Sequence, residues 1–285
     1  MASNAKKAIA FLLTAAVAGA LVFGPLYRVW REARPSEFYS HIPLIPAISA
    51  FFFFRRRKKY FQGDRTGEAV GIITVSAGLV TFAASRIIQA DLIGHAIICS
   101  LSAIVLIFGS FLALFGKSAL KKALFPLAFL FFMIPLPIAF IEKIVSILAT
   151  ASTGITYLLF KAFGVPFVKG GSYFHLPGFD IIVADACSGI RSSIALLITT
   201  VLAGHLFLRK FWKQVFLAVA VFPVTVFKNG VRIVTLYLLS YFVDIRIIEG
   251  GFLHKSGGFI FFGLGLVILG IILWFLKEWG IDRGR

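Results

Sequence analysis

Charged residues are scarce in this sequence, and acidic residues are scarcer than basic ones. Only 14% of the 285 residues are charged and 59% are hydrophobic, with apolar runs long enough to cross a bilayer core of about 30 Å. This composition excludes an ordinary soluble domain. The 12 acidic and 29 basic residues give a net charge of +17. We expect no nucleic-acid binding, because the basic residues lie in short connections between apolar runs and no basic, aromatic-interleaved domain carries them.

Cysteine is also nearly absent. The chain has two cysteines, Cys99 in the middle of one apolar run and Cys187 at the edge of another. These placements disfavour a structural disulfide between them, so each is interpreted as a free thiol. No pair of histidine or cysteine residues has the spacing of metal ligands, and we therefore expect neither a metal site nor a cofactor.

The long apolar runs predict an all-α polytopic membrane protein with a single integral-membrane domain over residues 1–285. They correspond to eight transmembrane helices, at about residues 8–27, 38–54, 69–88, 91–115, 123–137, 191–208, 214–243 and 257–276. Basic clusters lie beside these runs, at residues 6–7, 55–59, 117–122, 209–213 and 277–285. Placing all five in the cytoplasm obeys the positive-inside rule with both termini inside. One loop departs from the rule, because Arg28, Arg31 and Arg34 then lie outside.

Residues 138–163 form a further apolar stretch that we interpret as an interfacial or re-entrant helix on the outer face. If this stretch crossed the membrane, the basic cluster at 209–213 would face outward, against the positive-inside rule. Pro135 and Pro137 predict a break in the chain just before it.

Residues 165–184 combine turn signals with short runs of β-favouring residues. The turn signals are Gly170-Gly171 and Pro177-Gly178, and the runs between them are rich in Val, Ile, Phe and Tyr. This pattern predicts a small β-hairpin or an extended loop on the outer surface, just before Cys187.

Cys187 lies at the predicted N-terminal end of the sixth span. Unpaired backbone N–H groups and the helix dipole favour a thiolate there, so Cys187 is a candidate nucleophile. A buried small hydrophobic residue is the alternative, since free cysteines are often buried. The adjacent Asp185 opposes a thiolate, whereas Arg191 can offset that carboxylate or reach to the membrane interface.

Polar residues in two other spans are predicted at the outer leaflet. Asn229 and Arg232, three residues apart, share one face of the seventh span. Arg232 can stabilise an oxyanion, or it can be a structural cation paired with a carboxylate. His254 begins the eighth span and suits proton exchange, although a lone interfacial histidine can also be incidental. His41, at the outer start of the second span, is a weaker candidate for the same role or for substrate contact.

At these residues the chain resembles the exosortase/archaeosortase family. The matching segments are residues 186–192, 228–233 and 252–258, supported upstream by residues 40–46 and 132–137. The resemblance implies a multi-pass protein of the bacterial cytoplasmic membrane whose catalytic set is Cys187, Arg232 and His254. To this set we add, as supporting or substrate-binding positions, Asn229, Asp185, Ser188, Arg191 and His41.

The resemblance also implies a function. Such enzymes act on membrane-anchored proteins whose C-terminal sorting signal consists of a short motif with Pro-Glu-Pro, a transmembrane helix and a basic tail. Cys187 would form a thioester acyl-enzyme on the outer, periplasmic face, and an acceptor amine or water would resolve it. The implied partners are these substrates and the lipid bilayer, and the oligomeric state stays open.

Two other functions compete with this one. A non-catalytic transporter or scaffold in exopolysaccharide export would use Asn229 and Arg232 to contact an anionic substrate. A transporter favours polar groups at mid-membrane on several spans, whereas the sequence predicts these groups at outer helix ends. A serine-based intramembrane protease would use Ser188 or Ser192, but neither lies in a Gly-x-Ser-x-Gly elbow.

Overall fold

Helices make up most of the structure, as expected for an apolar chain whose backbone N–H and C=O groups must find partners without water. The computed structural model describes residues 2–32, 36–61, 66–183, 189–244 and 252–278. The α-helices are α1 Ala2–Glu32, α2 Leu44–Arg55, α3 Arg57–Tyr60, α4 Glu68–Ala84, α5 Leu92–Phe129, α6 Ile138–Ala162, α7 Ile190–Phe207, α8 Phe211–Val219, α9 Val221–Phe242 and α10 Phe252–Glu278. Short 3₁₀ helices occupy Ser36–Tyr39 and Leu130–Met133.

Six helical segments of the described chain are long and apolar enough to cross a membrane. They are Ala5–Glu32, Leu92–Met133, Ile138–Ala162, Ile190–Phe207, Phe211–Phe242 and Gly258–Glu278. The predicted polytopic, all-α architecture is therefore present, but the count of eight is not reproduced. The apolar helices α2 and α4 are shorter than this length, and two predicted spans fall within Leu92–Met133. These two are separated by a bend at Gly116, whose φ of 81° is a left-handed conformation that favours glycine.

The stretch predicted to be interfacial or re-entrant is one uninterrupted helix. α6 contains 25 residues and is apolar enough to span a bilayer. Its buried residues recur at helical spacing, from Ile141 through Val145, Leu148 and Ser152 to Thr156. Sequence reasoning assigned this helix from the charges of the loops around it, whereas its length and apolar composition alone would also allow it to span a bilayer.

The chain divides into two compact units, and the first is Met1–Ile138. Its central helix is α5, against which α1, α2 and α4 pack. A cluster of phenylalanine rings forms the core at one end, with Phe11 in contact with Phe53 and Phe111 at centroid distances of 5.4 and 5.1 Å. α4 approaches α5 through glycine, since a Cβ on Gly109 would lie 2.7 Å from the backbone nitrogen of Val75.

Gly71→Ala is expected to destabilise this unit by about 1–3 kcal/mol, because the added Cβ meets the backbone of Ala113, which cannot move aside as a side chain can. Gly270→Ala is the matched control, since a Cβ there meets nothing within 4 Å. The measurement is the unfolding midpoint of each purified variant in mixed micelles. Equal midpoints for the two variants would contradict the close α4–α5 packing.

The second unit, Ala139–Arg285, contains α6 to α10 and a small sheet. Where a hairpin or loop was predicted, three antiparallel strands lie in the order β1 Val168–Gly170, β2 Tyr173–His175 and β3 Asp180–Ile182. Phe174 of β2 is fully buried and contacts Phe160 of α6, while Tyr237 of α9 donates a hydrogen bond to the Pro177 carbonyl at 3.2 Å. The sheet therefore packs on the C-terminal part of α9.

Candidate active site

After the segment that contains Cys187, the described residues resume at Gly189, two positions after this cysteine. Cys187, Asp185 and Ser188 lie in residues 184–188, outside the described residues. His254 belongs to the first turn of α10, but its side chain is also outside the description. The site can therefore be built from Gly189 onward, and from the helices around it.

The first turn of α7 is held by glycine and two serines. Gly189 caps the helix with a φ of 67°, a conformation that favours glycine over residues with a Cβ. Ser192 and Ser193 each donate a hydrogen bond from Oγ to the Gly189 carbonyl, at 2.8 and 2.8 Å. These bonds fix the backbone at the point where the chain arrives from Cys187.

A buried lysine lies directly against this turn. Lys228 of α9 is 3% exposed, and its Nζ donates a hydrogen bond to Ser192 Oγ at 2.7 Å. A Cβ added to Gly189 would lie 3.3 Å from the same Nζ, so the ammonium lies beside Gly189, two residues after Cys187. Among the residues that the structure describes, Lys228 forms no ion pair with a carboxylate. A buried ammonium with so few neutral partners is costly, and such groups favour a nearby anion.

Asn229, the next residue, fixes α9 to a third helix. Its side chain is 1% exposed, and Nδ2 donates a hydrogen bond to Ser152 Oγ of α6 at 3.1 Å. Its Oδ1 would lie 3.4 Å from a Cβ on Gly189, so both Lys228 and Asn229 line the start of α7. Arg232 lies one turn further along α9, is partly buried, and interacts electrostatically with Lys228.

Two glycines allow the surrounding helices to approach. A Cβ on Gly230 would lie 2.5 Å from Ile155 Cγ2 of α6, and one on Gly265 would lie 3.4 Å from Lys228 Cδ. α6, α7, α9 and α10 therefore meet around Lys228 and Asn229. The sequence predicted Asn229 and Arg232 as site residues but missed Lys228 and Ser152. A lysine within an apolar span was itself the available signal, because intramembrane charge usually marks function.

This cluster lies within α9, whereas the sequence predicted that the polar groups gather at helix ends. Lys228 is seven residues after Val221 and fourteen before Phe242, and the latter distance corresponds to about 21 Å along the helix axis. His254 precedes Gly265, the α10 residue beside Lys228, by eleven residues or about 16 Å. The structure brings the Cys187-proximal turn to Lys228 and Asn229 but does not describe a contact with His254.

The two other predicted positions that the structure describes are Arg191 and His41. Arg191 is the second residue of α7, two positions after Gly189, and is exposed. His41 belongs to the first unit, in the turn before α2, and is half-buried. Burial lowers the pKa of His41 from its ordinary value, and hydrogen bonds with the backbone of Phe132 and Phe38 oppose that shift.

The family model described as transmembrane exosortase matches residues 30–271, which is most of the chain. The chain is a member of the transmembrane exosortase family. This confirms the resemblance inferred from the sequence, and together with the long apolar helices it identifies a multi-pass membrane protein. Exosortases are generally cysteine transpeptidases, so membership suggests a membrane transpeptidase. Neither the curated proteins nor the solved structures include a match to this exosortase.

Proposed function

We propose that this exosortase is a cysteine protease and transpeptidase that removes the C-terminal sorting signal of exported proteins, with Cys187 as its nucleophile. The observation that carries this proposal is the buried Lys228 ammonium, which donates a hydrogen bond to Ser192 and lies beside Gly189, two residues after Cys187. Positive charge beside a cysteine favours the thiolate, which is the nucleophilic form. The family supplies the reaction class, and Lys228 supplies a physical reason why this thiol would react.

The reaction has two steps. The Cys187 thiolate attacks the scissile carbonyl, the C–N bond breaks, and the amine leaves with a proton that we assign to His254. The resulting thioester is then attacked by an acceptor amine, giving a new amide, or by water, giving a carboxylate. Arg232 is assigned to the oxyanion that forms in each step, because a guanidinium donates two hydrogen bonds from a planar group. Asn229, Asp185, Ser188, Arg191 and His41 complete the proposal as supporting or substrate-binding residues.

The axial separation of Lys228 and His254 constrains these roles. Chain connectivity limits the Cα of Cys187 to about 7 Å from that of Gly189. Since His254 lies about 16 Å along α10 from Gly265, the assigned roles require the chain from Gly189 to Cys187 to run toward the His254 end of α10. In this proposal the substrate helix lies among the spans of a single integral-membrane domain, the bacterial cytoplasmic membrane holds the protein with both termini inside, and the thioester forms on the outer side.

A tagged reporter tests the function. The reporter carries a soluble domain, a Pro-Glu-Pro motif, a transmembrane helix and a basic tail, and is co-expressed with the full chain in cells. We expect the reporter to lose its tail, seen as a shorter band on an immunoblot. A reporter with Ala-Ala-Ala in place of Pro-Glu-Pro is the control and should keep its tail. If the reporter with Pro-Glu-Pro and the control reporter both keep their tails, the proposed function is contradicted. If both reporters are cleaved equally, recognition of the Pro-Glu-Pro motif is contradicted.

A further inference from the structure

A long apolar groove lies in the first unit, between α1 and α2. Both helices pack against α5, and the space left between them has a volume of about 760 Å³. It extends from Phe11 and Phe53 at one end to Trp30 and Met133 at the other. Phe11 and Trp30 are nineteen residues apart on α1, which corresponds to about 28 Å and matches the thickness of a bilayer core.

A basic pocket lies beside one end of this groove. The pocket has a volume of about 380 Å³ and is lined by Phe54 together with Arg55, Arg56, Arg57 and Lys58. Phe54 lines the apolar groove as well, so the two spaces adjoin at this side chain. All four cationic side chains are exposed, and none forms an ion pair with a carboxylate in the part of the chain that the structure describes. Tyr27 and Trp30 line the opposite end, as aromatic residues do at a membrane interface.

We propose that this groove is a binding site for an anionic glycerophospholipid. The phosphate of the headgroup binds the cluster Arg55, Arg56, Arg57 and Lys58, and an acyl chain, which spans one leaflet, occupies the half of the groove nearest Phe54. Arginine clusters at the end of membrane helices attract anionic headgroups, and guanidinium groups bind phosphate oxygens in pairs. A cationic pocket beside an apolar groove therefore matches the two parts of such a lipid.

A transmembrane helix of the proposed substrate is a poorer occupant because of its charge. That helix ends in a basic tail, which the four cations would repel. The same four cations attract an anionic headgroup, so charge favours a lipid over the substrate helix. This inference does not depend on the proposed function, since it concerns a different unit of the chain.

The test compares the effects of an anionic and a zwitterionic phospholipid on the stability of the full purified chain. The unfolding midpoint is measured in detergent micelles containing phosphatidylglycerol or phosphatidylcholine with the same acyl chains. We expect phosphatidylglycerol to raise the midpoint by roughly 5 °C at saturation and phosphatidylcholine to raise it much less. The triple variant Arg55→Gln, Arg56→Gln, Arg57→Gln should lose most of this difference. Equal shifts with the two lipids in the unmodified protein would overturn the proposal.

Two variants separate the groove from general surface charge. Lys121→Gln with Lys122→Gln removes two exposed cations that line neither cavity, and it should keep the full response to phosphatidylglycerol. Gly19→Phe fills the groove, and a Cβ at Gly19 meets nothing within 4 Å, so it should fold while losing the response. If the Lys121→Gln, Lys122→Gln variant loses the response to phosphatidylglycerol as fully as the triple arginine variant does, a specific site is contradicted. Displacement of phosphatidylglycerol by a peptide with the sorting-signal helix and basic tail would also contradict the proposed lipid site.

Discussion

Cys187→Ser is expected to lower the rate of tail removal in the reporter assay by about 10⁴-fold or more. Removing the nucleophile of a covalent mechanism eliminates the thioester, and a serine hydroxyl at neutral pH is far less nucleophilic than a thiolate. The Cys187→Ala variant should be equally inactive, because neither side chain forms the acyl-enzyme. The measurement is the rate at which the shortened reporter accumulates after induction, normalised to the amount of exosortase in the membrane.

Cys99→Ser is the matched control for that experiment, since it changes the other cysteine in the same way. Cys99 is buried in α5, with its Sγ 3.6 Å from Ser85 Oγ and 3.6 Å from His95 Nε2. A serine there can keep these polar contacts, so we expect tail removal within about twofold of the unmodified rate. Normal tail removal by the Cys187→Ser variant would contradict the assignment of Cys187 as the nucleophile. Equal loss in both variants would indicate that either substitution damages the fold.

The sequence predicted most of the helices because membrane helices are long apolar runs that need no tertiary information. It also located the segments 186–192, 228–233 and 252–258, whose order along the chain indicated the family that the comparison confirmed. It predicted a connection between the spans 91–115 and 123–137, where the structure has the bend at Gly116. It did not predict the left-handed angles of that glycine, since glycine beside an apolar run does not reveal its backbone angles.

The partners of the candidate site could not be predicted from the sequence. The bond from Lys228 to Ser192 joins residues 36 positions apart, and the bond from Asn229 to Ser152 joins residues 77 apart. Helical periodicity places Asn229 and Arg232 on one face of a helix, but which helices meet that face depends on packing. That packing relies on close approach at Gly230 and Gly265, where the neighbouring helices leave little space for a Cβ.

The position of Lys228 within α9 changes the argument against a transporter. Polar residues at the outer ends of helices had favoured an enzyme, whereas buried polar groups within α9 and α6 are also found along transport pathways. Family membership now favours an enzyme over a transporter, because exosortases are generally transpeptidases. Cys187 separates the two hypotheses by experiment, since a transporter or scaffold has no need of its thiol.

Lys228→Met is expected to reduce tail removal by about 10- to 100-fold, the second largest effect in this site. Methionine keeps most of the length of the side chain, one atom short of lysine, but removes the charge that favours the Cys187 thiolate. Ser192 keeps its own hydrogen bond to the Gly189 carbonyl, so the first turn of α7 should stay in place. Lys228→Arg retains a cation and should recover much of the rate if charge, rather than the shape of lysine, is what matters.

Alkylation of Cys187 distinguishes this electrostatic role from a structural one. The rate of labelling by iodoacetamide is measured against pH in the Cys99→Ser background, with and without Lys228→Met. Removing a cation disfavours the thiolate, so the pH of half-maximal labelling should rise by about one to two pH units. The nearby charged residues Arg232 and Arg191, and Asp185, which is two positions before Cys187 in the sequence, are unchanged in the comparison.

Lys213→Met is the control for loss of a buried lysine. Lys213 is 6% exposed in the same unit, and its Nζ donates a hydrogen bond to the Leu276 carbonyl at 2.7 Å, at the C-terminal end of α10. Its removal should lower stability without moving the labelling profile of Cys187, because Lys213 does not contact the start of α7. If Lys228→Met lowers activity but leaves the profile where Lys213→Met leaves it, then Lys228 only supports the packing of α7 against α9, and another group must activate the thiol.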